Sequence, residues 1–592
     1  MREGRGAGIG RVGGMPSGAL ALSLGYALFI LTAALAFHRV GGYGVETDFY
    51  GQYAPQARAI QRLILSGEGR VEIDGLHGPL YPFLLAIFGF LAGDIFRGGV
   101  LLAVLTSGLA LYATHRLAPI LLDGEAARLL PLVLLTNETF VRHSYEAGTE
   151  MLFLLLSILA VLFALAPRGA VADAVATTPK APLLVAGACA ALAFLTRQNG
   201  VALAAGLLAV LLFVNPRLGG ASRRVREAAV FCTGFLVVSA PWFVYCHLKT
   251  GRFFVSRSYL IVAGGLLFRG ESWDRFANLH ADRFGSMSEV LTHDPARLIA
   301  SLALNVPDHL WRDLTGLMGA AVGACAAFGL LVMLATRKVN RVQGAFLVLG
   351  LAQFSILLLM FHRVRFSSPL LPYYGFAAAW FIAWLGSRRP VAARRLAVAA
   401  LGLTAALGAW SNARTIASGP VEVLAIRDRF RAETPVEARA GWRSGLCARK
   451  PHLAYYLEMN AVPFPYVEDY EKLVALCRER GADYLFYGPA ESKTRTPFRS
   501  LLDPREPHPG LQPVVTLDGP PAVLYRLSGR AADGGPFLSP PGGRRPARAR
   551  RADDCAPPSA APDAPSTAPR GRRSSAPAIR TAPACAHPSA AG

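Results

Sequence analysis

Charged residues are scarce in this chain. They make up 17% of its 592 residues, whereas 53% are hydrophobic, and the mean hydropathy is +0.36. A soluble protein of this length needs far more charge to cover its surface. The composition therefore excludes an ordinary soluble protein and favours a polytopic membrane protein built from several apolar helices.

Acidic residues are fewer than basic ones, 39 against 61, which leaves a formal net charge of +22. Such an excess can indicate nucleic-acid binding. Most of the arginines, however, lie in short hydrophilic links between apolar segments, as orientation signals do in membrane proteins. The sequence has no basic stripe with interleaved aromatic residues and no nucleic-acid-binding motif. Nucleic acid is therefore not an expected partner.

Cysteine is also rare, with eight residues and no metal-ligand spacing. Four of them lie in apolar segments and are expected to be small core residues: Cys189, Cys232, Cys246 and Cys325. Cys447 and Cys477 share one polar region and can form a disulfide if that region faces an oxidising compartment. The sequence leaves this pairing open. It predicts no cofactor and no metal site, without excluding a divalent metal.

Long apolar runs are what the sequence has in abundance. A membrane-spanning helix needs roughly 20 apolar residues, which gives about eleven candidates. They are residues 17–37, 98–117, 126–141, 148–166, 181–196, 199–214, 228–247, 315–335, 343–361, 368–386 and 396–411. The first exceeds the apolar core of a cleaved signal peptide, about 7–15 residues, and is interpreted as a retained signal-anchor. The shorter apolar segment 79–93 contains two prolines and is interpreted as a juxtamembrane or re-entrant helix.

The distribution of arginine predicts the orientation. With residues 1–16 in the cytoplasm, most basic links between spans fall on the cytoplasmic side, and counting 79–93 as a full span would reverse most of them. The membrane domain then covers 17–411, and the loops 38–97 and 248–312 face outward. These features predict a multi-pass membrane protein whose C-terminal region faces outward.

Past the last span, residues 420–530 predict a small soluble α/β domain. The helical stretch Asp469–Arg480 ends at Gly481, a good helix C-cap. Strand-like segments follow: Tyr484–Tyr487, Val514–Leu517 and Ala522–Leu527. Residues 531–592 are rich in proline, alanine and arginine and contain almost no aromatic residues, so we expect them to be disordered.

Asp48 lies a few residues beyond the first apolar segment. A carboxylate there is in water but beside lipid, where an enzyme with a lipid-borne substrate would need a general base. The residues after it predict an amphipathic helix in the membrane interface, with these on one face: Phe49, Tyr53, Ala57, Ile60 and Ile64. A simpler interpretation, which can hold at the same time, is an anchor helix capped by Thr47, with Asp48 near its positive end.

Further polar residues are expected on the same outer side. His77 precedes the juxtamembrane helix, and Glu150 lies where a span begins. An unpaired carboxylate carried deep into the membrane would cost about 2.5–3.5 kcal/mol. Arg197, Arg363 and Arg365 lie at outer span ends, where arginine should be depleted. Their guanidinium groups suit a lipid-borne phosphate; the alternative is snorkelling or contact with lipid headgroups.

The order and spacing of these segments resemble the C-type glycosyltransferases (GT-C), specifically the family 39 group that includes protein O-mannosyltransferases and the lipid A aminoarabinose transferase. The resemblance covers most of residues 17–530. Its motifs are Thr47–Tyr50, His77–Pro82, Thr149–Leu152, Leu195–Arg197, Pro241 and Trp242 with Gly251–Phe253, Arg363–Arg365 with Pro369 and Pro372, Arg449–Leu457 and Gly481–Leu485. No single motif is specific; their order and spacing are.

Two positions depart from the family's pattern. Gly78 stands where the family usually has a proline after the histidine or lysine, which implies a less rigid placement of His77. The family's first loop often carries an aspartate pair, where this chain has Glu46 and Asp48.

The resemblance implies the GT-C fold, a polytopic α-helical protein of the bacterial inner membrane with a small periplasmic α/β domain. It also implies a polyprenyl-phosphate sugar as donor, an envelope acceptor and inversion at the anomeric carbon. Asp48 would be the catalytic base. Glu150 with Glu46 would form a second acidic site that orders the acceptor, or Glu150 would pair with an arginine. The donor phosphate would be held by some of these residues: Arg58, His77, Arg197, Arg363 and Arg365.

Two other kinds of protein remain as alternatives. A polytopic transporter or lipid flippase would be expected to show internal repeats and polar residues at the midplane, and the sequence shows neither. An oligosaccharide ligase or polymerase would use the same kind of polyprenyl donor. The sequence identifies neither the sugar nor the acceptor.

Overall fold

The computed structural model describes five stretches of the chain: residues 16–69, 71–166, 181–214, 220–433 and 444–528. All but Pro16 of the predicted cytoplasmic N-terminus, 1–16, lies outside the described residues, and so does the predicted disordered tail, 531–592. The described chain is mostly helical and ends in a small β-sheet, as the predicted fold class requires.

The helices up to residue 433 follow the apolar runs of the sequence. Their bounds are Pro16–Phe37, Ala54–Ser66, Leu80–Ala92, Ile95–Leu121, Ala126–Thr136, Glu138–His143, Glu150–Leu165, Ala181–Thr196, Gly200–Ala209, Ala221–Thr250, Ser258–Val262, Trp273–Leu279, Met287–His293, Pro295–Arg312, Ala320–Thr336, Arg341–Leu357, Val364–Ser367, Leu371–Gly386, Pro390–Ile416 and Val421–Glu433. Short π-helical turns occur at Phe49–Tyr53, Val210–Val214, Ala263–Leu267 and Asp313–Leu317.

Four helical stretches are long and apolar enough to cross a membrane: Ser17–Phe37, Ile95–Leu121, Ala221–Thr250 and Pro390–Glu433 (two helices joined by a short turn). Shorter apolar helices of 10–17 residues accompany them. The number of about eleven spans, which rests on the 20-residue rule, therefore stays a prediction. The segment expected to be juxtamembrane forms the helix Leu80–Ala92.

Burial separates a central helix from peripheral ones. In Ile95–Leu121, 72% of the most apolar stretch is buried inside the protein, against 17% in Ser17–Phe37. The large side chains of Leu24, Leu28 and Phe29 are exposed on that first helix. A continuous exposed apolar surface of this kind is typical of a membrane-facing helix.

The C-terminal region is built on a five-stranded sheet. Its strands are β1 (Gly445–Ala448), β2 (Asn460–Pro463), β3 (Tyr484–Tyr487), β4 (Leu511–Asp518) and β5 (Pro521–Leu527), in the order β2-β1-β3-β5-β4. β1 pairs in parallel with β2 and β3, whereas β5 pairs antiparallel with β3 and β4. The three strands predicted from the sequence are β3, β4 and β5; the four-residue β1 and β2 were missed.

Both faces of this sheet are covered by helices. Helix Tyr470–Glu479 begins at Asp469, whose side chain accepts from the amide of Lys472, and the chain leaves it through Gly481, which has a φ of +83°. This helix packs on one face. Helices Val421–Glu433 and His452–Leu457 pack on the other. The second of these also contacts the loop that carries Asp48.

Candidate active site at the helix ends

Asp48 stands at the start of a buried π-helical turn, Phe49–Tyr53. The amide of Asp48 donates to the carbonyl of Val45, and the three aromatic rings of the turn are buried, so the backbone is held in place. The alternative in which Thr47 caps this helix is wrong. The Thr47 hydroxyl donates back to the carbonyl of Tyr43. The Asp48 carboxylate forms an ion pair with a partner in another part of the chain.

That partner is Arg365. Its Nη1 lies 2.8 Å from Oδ2 of Asp48, with 36% of the Asp48 side chain and 23% of the Arg365 side chain exposed. The carboxylate is therefore paired yet still open to solvent. Burial lowers the pKa of Arg365, but Asp48 and Glu150 outweigh burial and hold that pKa above its ordinary value. A positive charge thus stays beside Asp48.

A buried histidine–aspartate pair positions Arg365. Arg365 lies on the short helix Val364–Ser367, which His362 closely precedes. His362 Nε2 donates to Oδ1 of Asp313 at 2.9 Å, and the hydroxyl of Tyr374 donates to Oδ2 of the same carboxylate at 3.2 Å. Because the Asp313 side chain is fully buried, the segment that carries Arg365 is anchored to the helices behind it.

A second ion pair joins Arg197 to Glu150, with Nη1 3.0 Å from Oε1. Glu150 is buried in the first turn of helix Glu150–Leu165, where the helix dipole favours a carboxylate. The guanidinium groups of Arg197 and Arg365 lie 5.5 and 4.9 Å from the ring centre of Phe366. This shared ring brings the two ion pairs together, so four of the predicted site residues meet at one place.

His77 lies beside the same cluster and is firmly held. Its Nδ1 bonds a carboxylate oxygen of Asp74, whose other oxygen accepts the His77 amide. The imidazole lies edge-on to the ring of Tyr53, with centres 5.0 Å apart. Its backbone pairs with that of Arg197 in an isolated antiparallel bridge. The expectation that His77 is less rigidly placed is wrong.

Gly78 is the reason that this bridge can form. A Cβ atom at Gly78 would overlap the carbonyl oxygen of Leu195. The glycine therefore allows the two segments to approach closely and does not loosen His77. A small pocket opens next to the bridge, and its lining includes His77, Phe194, Leu195, Gln198, Trp242 and Phe254.

Glu46 does not join this cluster. Its side chain is 1% exposed and bonds His38 Nε2 at 2.9 Å. It also accepts the amides of Ala147 at 2.9 Å and Gly42 at 2.6 Å. A buried carboxylate with these three donors is not available to an acceptor. The prediction that Glu46 helps to order the acceptor is wrong; Glu46 links the first loop to the segment before Glu150.

Two of the predicted phosphate ligands have other contacts. The guanidinium of Arg58 lies 4.1 Å from the ring centre of Tyr455, in the C-terminal region. Arg363 is exposed, with its guanidinium 5.8 Å from the ring centre of Phe361. The structure therefore brings His77, Arg197 and Arg365 together and places Arg58 and Arg363 against other parts of the chain.

Sequence reasoning missed a further cation beside the site, although Lys450 lies within the motif Arg449–Leu457. Lys450, directly after β1, donates from Nζ to the hydroxyl of Thr47 at 2.9 Å. A contact between residues 403 positions apart has no local pattern that could reveal it. Within the described residues, no group of three or more His, Cys, Asp or Glu side chains is arranged to hold a metal ion.

Comparison with known proteins gives one family and two informative structures. The family model for dolichyl-phosphate-mannose-protein mannosyltransferases matches residues 76–245, which include His77, Glu150 and Arg197. ArnT from Cupriavidus metallidurans, bound to undecaprenyl phosphate, is 15% identical with a TM-score of 0.52 over 86% of this chain and 98% of ArnT. No curated protein sequence matches the chain.

The archaeal oligosaccharyltransferase AglB from Archaeoglobus fulgidus, in complex with an inhibitory peptide and a dolichol-phosphate, is 14% identical. Its TM-score is 0.54, over 80% of this chain and 70% of AglB. Similarity at these identities concerns the fold. The family model confirms the resemblance inferred from the sequence, the two structures agree with it in fold, and the chain is a multi-pass membrane protein.

Proposed function

We propose that this chain, which has the fold of the C-type glycosyltransferases and resembles their family 39, transfers a sugar from a polyprenyl-phosphate donor to an envelope acceptor. The observation that carries the proposal is the partly exposed Asp48 carboxylate 2.8 Å from Arg365, whose guanidinium shares the ring of Phe366 with that of Arg197. A base and two cations at the ends of apolar helices suit a reaction on a lipid-borne phosphate ester.

In this reaction Asp48 accepts the proton of an acceptor hydroxyl. The hydroxyl oxygen attacks the anomeric carbon from the face opposite the phosphate, and the bond between that carbon and the phosphate oxygen breaks. The bonding electrons leave with the polyprenyl phosphate. Because attack and departure occur on opposite faces, the product has inverted configuration. Arg365 and Arg197 stabilise the negative charge that builds on the leaving phosphate.

Several contacts support a donor site on this side of the cluster. His77 lines the small pocket together with Trp242 and Phe254, and Arg197 lies between two further lining residues, Leu195 and Gln198, with one residue separating it from Leu195. The Arg197 guanidinium and the His77 imidazole beside this pocket suit the phosphate of the donor. The similarity to ArnT with undecaprenyl phosphate and to AglB with dolichol-phosphate agrees with such a donor. Glu150 orders this site by holding Arg197.

A transfer assay tests the function. Purified protein in detergent, given radiolabelled polyprenyl-phosphate sugars and an envelope extract, is expected to move label covalently to an acceptor, and to do so in the presence of EDTA. Label that crosses the membrane of sealed proteoliposomes without covalent transfer would favour the transporter or flippase and contradict the proposal.

The same assay tests the alternative of an oligosaccharide ligase or polymerase. The similarity in fold to the oligosaccharyltransferase AglB is the reason to test it. Mass spectrometry of the labelled product gives the size of the transferred unit. We expect a single sugar; a transferred oligosaccharide would show that the donor is larger and would replace this part of the proposal.

The orientation has its own test in the C-terminal region. The Sγ atoms of Cys447 and Cys477 lie 3.0 Å apart and both residues are fully buried. We propose that the region faces an oxidising compartment, where exchange with a protein disulfide oxidant would convert this pair to a disulfide. Alkylation of free thiols before digestion and mass spectrometry is expected to yield the joined peptide. A fully alkylated pair would contradict the proposed periplasmic orientation, and Cys189 and Cys325 serve as single-thiol controls.

A further inference from the structure

The segment after β1 brings a lysine from the C-terminal region into the first loop. Lys450 Nζ donates to the carbonyl oxygen of Tyr43 at 2.7 Å and to Oγ1 of Thr47 at 2.9 Å. Thr47 directly precedes Asp48. The ammonium group is therefore bonded to both ends of the short turn that leads into the proposed base.

The contacts around Lys450 are aromatic and buried. His452 is fully buried, its Nε2 donates to the carbonyl of Gly42 at 3.2 Å, and its ring centre lies 4.2 Å from that of Tyr50. The hydroxyls of Tyr50 and Tyr456 are hydrogen-bonded at 2.9 Å. Helix His452–Leu457 thus packs directly on the π-helical turn after Asp48, and neither segment can shift without the other.

Charged and titratable groups face Lys450 from each element around it: Asp48 in the first loop, Arg365 on helix Val364–Ser367, Asp274 on helix Trp273–Leu279, and Arg449 and His452 in its own segment. Burial is the main reason that the pKa of Lys450 is lowered to about 8, and the neighbouring arginines add to this while Asp48 and Asp274 oppose it. The ammonium is therefore charged below this pH and loses its proton as the pH rises through about 8.

We propose that Lys450 is a positioning residue of the active site, through which the C-terminal region holds the Thr47–Asp48 turn against Arg365. This inference rests on the proposed function, because it gives Lys450 a part in that reaction. Lys450 acts through Thr47 and Asp48, and the C-terminal region becomes part of the catalytic unit. A charged donor forms hydrogen bonds roughly twice as strong as a neutral one, so loss of its proton loosens the turn.

Two substitutions test this in the full-length protein. Lys450→Met keeps the length of the side chain and removes its donors and charge. We expect the transfer rate at saturating donor to fall by up to about 100-fold, because misplacing a catalytic group by about 1 Å has this effect. The donor concentration for half-maximal rate should not change. Lys472→Met, at an exposed lysine on helix Tyr470–Glu479, should leave the rate unaltered.

Lys450→Arg separates positioning from simple packing. An arginine keeps the charge and the donors at all accessible pH values. We expect the unchanged protein to lose rate as the pH rises through about 8, where Lys450 loses its proton. The arginine variant should restore most of the rate and should not show this loss. A Lys450→Met protein with the unchanged rate, or an arginine variant with the unchanged pH profile, would overturn the proposal while leaving the proposed function intact.

Hydrogen exchange gives a readout that does not depend on sugar transfer. The amides of Thr47, Asp48 and Tyr50 are hydrogen-bonded to carbonyls of the first loop. In Lys450→Met these amides should exchange faster than in the unchanged protein or in Lys472→Met, as followed by mass spectrometry of peptides covering 43–50. Equal exchange in all three proteins would overturn the positioning role, even if the protein transfers no sugar.

Discussion

Replacing Asp48 with asparagine is expected to lower the rate of sugar transfer at saturating donor by roughly 10²–10⁴-fold, the usual contribution of a positioned general base. Asparagine has the shape of aspartate but cannot accept the acceptor's proton. It can still accept a hydrogen bond from Arg365 at the position where Oδ2 now lies, so the local fold should persist. The measurement is the initial rate of label transfer by detergent-purified protein.

Asp94→Asn is the matched control for this change. Asp94 is exposed and caps helix Ile95–Leu121 by accepting the amide of Arg97, a role that asparagine fills equally well. This variant should keep the full rate. An Asp48→Asn protein that transfers sugar as fast as the Asp94 variant would remove Asp48 from the chemistry, whatever the rest of the site does.

Arg365→Gln should have the second largest effect, and it should act on both binding and turnover. The substitution removes the cation beside Asp48 and one of the two arginines that share the ring of Phe366. Loss of one charge-stabilising donor commonly lowers a rate by about 10²–10³-fold. The affinity for polyprenyl phosphate should fall as well, which a titration of the purified variant with undecaprenyl phosphate would show.

The control for Arg365 is Arg62→Gln. Arg62 is an exposed arginine on the amphipathic helix Ala54–Ser66, so its loss changes the net charge equally without touching the cluster. We expect donor affinity and rate to stay unchanged in this variant. If both variants lost donor affinity and rate equally, the overall charge would attract the donor, and the local position of Arg365 would not matter.

Apolar patterning was enough to place the helices, because each membrane helix must present hydrocarbon along its length. The predicted span 181–196 coincides with helix Ala181–Thr196. Other helices extend past the predicted limits: 228–247 lies within Ala221–Thr250, and 396–411 within Pro390–Ile416. Hydropathy marks only the part in hydrocarbon, whereas backbone hydrogen bonds carry the helix on through polar residues.

Only part of the site was predicted from the sequence, and there is a physical reason why some residues were found and others were missed. Asp48, Glu150, Arg197 and Arg365 are polar residues where apolar runs end, so position alone drew attention to them. The burial of Glu46 depends on His38 and on amides from two segments, and the contact of Lys450 depends on how a distant domain folds. Such contacts between parts far apart in the chain leave no periodic signal in the sequence.

The most direct test of the account is to titrate the Asp48→Asn and Arg365→Gln proteins side by side with undecaprenyl phosphate. If Asp48 is the general base and Arg365 holds the phosphate, Asp48→Asn should bind at least as tightly as the unchanged protein, because a carboxylate that repels the phosphate is gone. Arg365→Gln should bind more weakly. Undiminished binding by Arg365→Gln, or loss of binding by Asp48→Asn alone, would contradict these two roles.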